Sequence, residues 1–176
     1  MTETAPVLRR LRPDDVPEVH HAFASNEDMA RQGEVASPDD AAQYVARLLH
    51  PPHEAWAVSD GGRLVGLVCV SVQEENRSGW FWYWMSDGAR RRGWMRRAAA
   101  TVADWALSRR GLQRLELGHR VNNPASGAVA VAAGFVREGT EREKFLIAGE
   151  RIDVATYGRL LSDPWPRFEP LAMIED

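Results

Sequence analysis

From Trp80 to Met85 the chain reads WFWYWM, so both alternating sets of side chains are apolar: Trp80, Trp82 and Trp84 on one side, Phe81, Tyr83 and Met85 on the other. A strand with a wet face alternates apolar and polar residues, so this run predicts a central strand covered on both faces. Strand-like runs also occupy Val7–Leu11, Ala55–Ser59, Leu64–Val72, Leu112–His119, Phe135–Glu138, Glu143–Ile147 and Ile152–Leu161. Asp60-Gly61-Gly62-Arg63 is a hairpin signal between two of them, and Ala148-Gly149-Glu150 turns the last pair.

Elsewhere the spacing becomes helical. Asp14 and Asp15 suit the first turn of a helix running to about Ala24. Ser37-Pro38-Asp39-Asp40 combines a cap, a proline at the first helical position and acids in the first turn, and Ala41, Tyr44, Val45 and Leu48 follow at helical spacing until Pro51-Pro52. Trp94, Ala98, Val102 and Trp105 form the stripe of a helix over about 94–109, stopped by Gly111. Asn123-Pro124 opens a short helix that Gly134 closes, whereas Asn26–Ala36 has no clean period and reads as a loop or broken helix. The resulting order is strand, two helices, three strands, helix, strand, helix, closing strands: a mixed α/β fold.

The proline-bearing tail from Ser162 is expected to be irregular. Trp165, Phe168, Leu171, Met173 and Ile174 are too apolar to stand in water, so it should pack on the domain or on a partner subunit. The expected organisation is one domain over 1–163 with a C-terminal extension over 164–176.

Composition narrows the function classes. At 176 residues, with 44% hydrophobic and 27% charged residues, the chain suits one soluble domain. A net charge of −3 gives no push toward nucleic acid or an anionic membrane. No basic-then-apolar leader opens the chain, and no apolar run approaches the ~18 residues of a membrane span. The lone Cys69 excludes an internal disulfide framework and reads as a buried small hydrophobe, which suits a cytoplasmic location. The histidines at 20, 21, 50 and 53 lack partners at ligand spacing, so no metal site is expected.

The candidate chemistry follows the tryptophan strand. Ser86-Asp87-Gly88 leads into Ala89-Arg90-Arg91-Arg92-Gly93-Trp94-Met95 and then an alanine-rich helix. Backbone N–H groups at a helix start lack intrahelical partners and carry the positive end of the dipole. A glycine there admits an anion and arginines add forked donors, so the turn reads either as a pyrophosphate site or as a basic turn bound to nothing.

The turn belongs to an ordered set of motifs: Arg90-Arg91-Arg92-Gly93-Trp94-Met95, Asn123-Pro124-Ala125-Ser126, Gly134-Phe135, Glu138-Gly139, and Gly149 followed four residues later by Asp153. In this order, across Val7 to Asp163, the set resembles the GNAT superfamily of N-acetyltransferases, closest to the branch that includes the ribosomal-protein N-terminal acetyltransferases.

That resemblance implies a GNAT-like, mostly antiparallel sheet, splayed at the middle, with helices on both faces. It also implies transfer of an acetyl group from acetyl-CoA to a primary amine, either a protein N-terminus or a small molecule, by direct attack in a ternary complex. The CoA pyrophosphate would lie on the N–H groups of Arg91, Arg92, Gly93, Trp94 and Met95 beside Arg90, and the pantetheine along Trp84, Met85 and Ser86. Arg91 and Met95 depart from the small residues usual in the turn and would serve if their backbone is ordinarily helical.

The family's frequent tyrosine four residues before Gly-Phe is Ala130 here, and the branch implies Ser126 as the acid for the departing thiolate; otherwise Ser126 only bonds its own helix terminus. Asn123 either caps that helix or bonds a pantetheine amide. As base, Glu116 in mid-strand could take the amine proton through a water, or simply pair with an arginine; His119 is the second candidate. Asp28 and Glu34, in the stretch that overhangs the acceptor site in this fold, would suit a cationic amine, or else are plain solvated loop residues. Expected partners are the amine acceptor alone, with no nucleic acid or membrane, in a monomer or homodimer. A different class, a non-catalytic acyl-CoA-binding regulatory module, finds support in the missing tyrosine, the unsettled base and the bulk of Arg91 and Met95.

Overall fold

The computed structural model describes residues 6–175. The first five residues, where no leader is expected, and Asp176 lie outside the described residues. Eight strands form one sheet: β1 (Val7–Arg10), β2 (His53–Asp60), β3 (Arg63–Gln73), β4 (Ser78–Met85), β5 (Arg114–Arg120), β6 (Val136–Ile147), β7 (Glu150–Leu160) and β8 (Met173–Ile174). Their order across the sheet is β6-β7-β5-β4-β3-β2-β1-β8, antiparallel except for β4 with β5 and β1 with β8. The helices are α1 (Val16–Ala24), α2 (Pro38–Leu48), α3 (Trp94–Ser108) and α4 (Pro124–Ala132).

Helices cover both faces of this sheet. Leu67, Cys69 and Trp84 pack beneath Val19 and Phe23 of α1 and Tyr44, Val45 and Leu48 of α2. On the other face Val68, Val70, Phe81 and Leu115 meet the alanine-rich side of α3, whose small residues let the helix lie close to the strands. Helix α2 starts as its sequence predicts: Ser37 Oγ accepts from the Asp40 amide and the Asp40 carboxylate accepts from the Ser37 amide.

The sheet opens in its middle. β4 and β5 pair only through Ser78–Trp80 and Arg114–Glu116, then diverge, so the rest of β4 has an open edge facing β5. Trp80 corrects the expectation that this strand is covered on both faces: it is 42% exposed, because the α1–α2 layer covers Trp84, reaches Trp82 in part and stops short of Trp80.

Two further differences lie at the sheet's margins. Phe135–Glu138 and Glu143–Ile147, expected as two strands, belong to one strand of 12 residues, β6, with a register break between Glu141 and Phe145. As an edge strand exposed on nearly its whole length, it carries no apolar alternation for a pattern to detect. In the tail, expected to be irregular, Met173–Ile174 pairs in parallel with β1 and the Leu8 amide donates to the Ala172 carbonyl at 2.8 Å. Leu171 is buried in the α3-side core.

Candidate active site

Two cavities of about 600 Å³ each flank the open edge of β4. The first is lined by Trp84 and Met85 of β4, the turn Arg90 to Arg96 and the first turns of α4. The 15-residue helix α3 begins there at Trp94 with Gly93 as its cap, so no cap side chain satisfies its first amides. Gly93 sits at φ +75°, a left-handed conformation that glycine adopts without strain. Arg91 shares that conformation at φ +64°, so the ordinary helical backbone expected for it does not occur; a side chain there costs about 1–2 kcal/mol. Arg92 lies over the Trp94 ring at 4.8 Å, and Arg90 Nε donates to the Met85 carbonyl at 3.1 Å.

The second cavity opens on the other side. Trp80, Trp82, Leu117, Gly118, His119, Arg120 and the end of β6 line it. Both cavities share Arg31, Gln32, Tyr83, Asn123 and Ser126, so these residues mark where they meet. Arg31 and Gln32 come from a 3₁₀ segment, Glu27–Gln32, within the stretch expected as a loop or broken helix, and it is capped by Asn26 accepting from the Asp28 amide at 2.8 Å.

At the junction, Asn123 Oδ1 accepts from the Ser126 amide at 3.2 Å and so caps α4. Tyr83 Oη donates to the Ser126 carbonyl at 2.7 Å, and Ser126 Oγ donates to Tyr83 Oη at 3.3 Å. Burial pushes the Tyr83 phenol up to about 12, against the Ser126 hydrogen bond, so it stays a proton donor through neutral pH. His119 lies close by. Its Nδ1 is 2.8 Å from the Arg120 carbonyl, which can only accept, so Nδ1 carries the proton. Nε2 is then the basic atom and accepts from Tyr157 Oη at 3.2 Å. Gly127 makes room for that ring, since a Cβ there would lie 2.8 Å from Nε2.

Of the residues expected to hold the cofactor, Trp84, Met85, Arg90, Arg91, Arg92, Gly93, Trp94, Met95 and Asn123 line the first cavity together. Ser86 does not: its amide donates to the Val65 carbonyl at 2.9 Å and its own carbonyl accepts from Ala89, so its backbone turns toward β3. Ser126 lies at the junction. Glu116 lines neither cavity; it is exposed and paired with Arg114 at 2.7 Å, which in turn holds Glu138 at 2.6 Å. This is the arginine pairing that the sequence left as the alternative to a base.

Asp28 lines the first cavity, not the second, and is held by Arg31 at 2.6 Å, while Glu34 is exposed and lines neither. Among the described residues, no Asp or Glu lines the second cavity, which carries Arg31, Arg47, Arg120 and Lys144. His53 on its wall is held below the usual imidazole range by burial and by Arg47. Asp28 and Glu34, offered from the sequence for a cationic amine, therefore do not meet in this cavity, whose charged lining is basic.

Tyr83 and Arg120 were not singled out from the sequence. A polar tip within an otherwise apolar strand was the available signal for Tyr83. For Arg120 there was none, because burial at the mouth of a splay is not written in local pattern. Among the described residues, no group of three or more His, Cys, Asp or Glu side chains is placed to hold a metal ion, and no helix is long and apolar enough to cross a membrane.

A family model described as an acetyltransferase (GNAT) domain matches residues 7–136. Among solved structures, the spermidine N-acetyltransferase from Vibrio cholerae in complex with CoA and spermine is similar, with a TM-score of 0.80 at 24% identity over 90% of this chain and 96% of that one. The ribosomal-protein-S5-alanine acetyltransferase from Vibrio fischeri gives a TM-score of 0.78 at 22% identity over 91% of this chain and 94% of that one. A comparison with curated proteins gives no match. The family match over most of the chain, an open-edged sheet of the same fold and the donor-lined turn agree: the chain belongs to the GNAT family and is an acetyl-CoA-dependent N-acetyltransferase.

Proposed function

We propose that the protein acetylates a primary amine by direct attack within a ternary complex, with acetyl-CoA in the first cavity and the acceptor in the second. The observation that carries this reading is the meeting of the two cavities at Tyr83, Asn123 and Ser126. Binding both reactants on opposite sides of one point converts a bimolecular encounter into a positioned one. A regulatory acyl-CoA-binding module would need the first cavity only.

The residues present fit acetyl-CoA. The uncapped start of α3 offers backbone donors to the pyrophosphate, and the open edge at Trp84 and Met85 offers strand-like pairing to the pantetheine. When bound, acetyl-CoA supplies an acetyl thioester. Asn123 spends Oδ1 on its cap, which leaves Nδ2 as the donor for a pantetheine carbonyl. Ser126 Oγ, turning its proton from Tyr83 Oη to the sulfur, supplies the proton for the departing thiolate. His119, which lines the second cavity whereas Glu116 does not, takes the proton from the amine through a water when Tyr157 Oη releases the Nε2 lone pair. The Vibrio relatives act on different amines by their names, so fold likeness leaves open whether the acceptor is a protein N-terminus or a small molecule. We take the working unit to be a monomer or homodimer, with the 164–176 tail as an extension of a single acetyltransferase domain.

The test is thiol release from acetyl-CoA against peptides, amino acids, polyamines and aminoglycosides, alongside CoA binding by calorimetry. Turnover on at least one class is expected. Tight CoA binding with no turnover on any of them would replace the enzyme by the module.

A further inference from the structure

Arg120, the last residue of β5, is 5% exposed and lines the acceptor-side cavity. Its Nη2 is buried without a hydrogen-bond partner. The two groups that act on it electrostatically, Arg31 and Asp28, are paired with each other at 2.6 Å. The other cations of the cavity have company: Lys144 pairs with Glu141, and Arg47 lies over the Tyr44 ring at 5.4 Å. Burial first, and Arg31 second, push the Arg120 guanidinium below its ordinary value. A guanidinium nonetheless stays charged at any pH a protein meets. A buried cation without a counter-charge is unfavourable until an anion reaches it. Its planar fork matches a carboxylate, and the apolar walls of Trp80 and Trp82 strengthen such a pair by excluding water. A polyamine would instead bring more positive charge into a cavity with no carboxylate in its lining.

We propose that Arg120 selects the acceptor by binding a carboxylate on it, so that the substrate is an anionic amine: an amino acid, or a peptide with an acidic side chain next to its amino terminus. This rests on the acetyl-transfer reading for the amine and on the cavity alone for the carboxylate.

The experiment uses matched pairs, with the full chain saturated with CoA: alanine against alaninamide, and the peptide amide Ala-Glu against Ala-Gln, with spermidine as the cationic control. Calorimetry reads binding, and thiol release from acetyl-CoA reads kcat and KM. In at least one pair the acid member should bind about tenfold tighter or more, the scale of a charged hydrogen bond, with the gain in KM rather than kcat. Preference in the amino-acid pair identifies a small-molecule acceptor; preference in the peptide pair identifies an N-terminus. Arg120→Gln should erase the preference by weakening the acid member of the responsive pair about tenfold, to the level of its amide partner.

Arg120→Met should fold and melt, without ligand, at or above the parent's temperature, because an uncompensated charge has gone. Equal binding within both pairs, a preference for spermidine, a preference that survives Arg120→Gln, or a variant that cannot fold would each overturn the proposal. Acid preference in binding without thiol release would keep the carboxylate site and remove the enzyme; thiol release without acid preference would do the reverse.

Discussion

Ser126 Oγ donates to Tyr83 Oη at 3.3 Å while Tyr83 returns its own proton to the Ser126 carbonyl at 2.7 Å. The two hydroxyls come from α4 and β4, 43 residues apart, and form one hydrogen-bonded unit where the cavities meet. A CoA thiolate is a fair leaving group, since thiols titrate near 8.5, so donation contributes about 10²-fold at most. Ser126→Ala and Tyr83→Phe should each lower kcat by about 10- to 100-fold and leave CoA affinity within a few-fold. The double variant should be little worse than either single one. Single-turnover rates with CoA calorimetry check this; multiplicative losses would separate the two roles, and affinity falling in step with rate would make both binding residues.

Because burial holds the Tyr83 phenol near 12, it should not lose its proton near pH 10, where an exposed tyrosine does. An alkaline limb in the pH–rate profile between about pH 9 and 10.5 should therefore persist unchanged in Tyr83→Phe. Its disappearance in that variant would assign the limb to Tyr83 and refute the burial effect.

The proton acceptor is tested by a pair of substitutions. Glu116→Gln alters an exposed residue held by Arg114 and should change kcat/KM by less than about threefold, whereas His119→Gln should lower it by about 10²-fold, the low end for a general base. Measured on one acceptor at fixed pH, the opposite ranking would restore Glu116.

In the CoA turn, Gly93→Pro demands φ near −65° where the chain runs at +75°, so CoA affinity should collapse. Arg91→Gly removes a charge but suits φ +64°. Affinity should stay within a few-fold, and stability in urea should rise by up to about 1 kcal/mol. Equal loss of affinity in both would mean that charge, not backbone, holds the pyrophosphate.

Leu171 is 3% exposed in the core, and its amide donates to Thr101 Oγ1 at 3.0 Å. Leu171→Ala should cost about 2–4 kcal/mol in urea unfolding. Ending the chain at Asp163 should cost at least as much, since it also strips β8 from β1. An unchanged unfolding midpoint for both would show the tail to be idle.

Much of this protein was legible in its residues because the relevant signals are local. The capping box at Ser37 and Asp40, the glycine after three arginines, and Asn123-Pro124 each specify a backbone event within four residues, and the turn and helix starts appear where those signals stand. Edge strand β6 reads as two strands because its exposed middle, between Glu138 and Glu143, carries no apolar alternation to join them. What tertiary structure alone decided is which side chains share a cavity. The divergence of β4 from β5 after three paired residues places Tyr83 against Ser126, leaves Glu116 at the closed end with Arg114, and buries Arg120 at the open one. Glu116 and Arg120 are four residues apart on one strand and so project from the same face. Nothing local distinguishes them, and their different environments come from a neighbouring strand that is present for one and absent for the other.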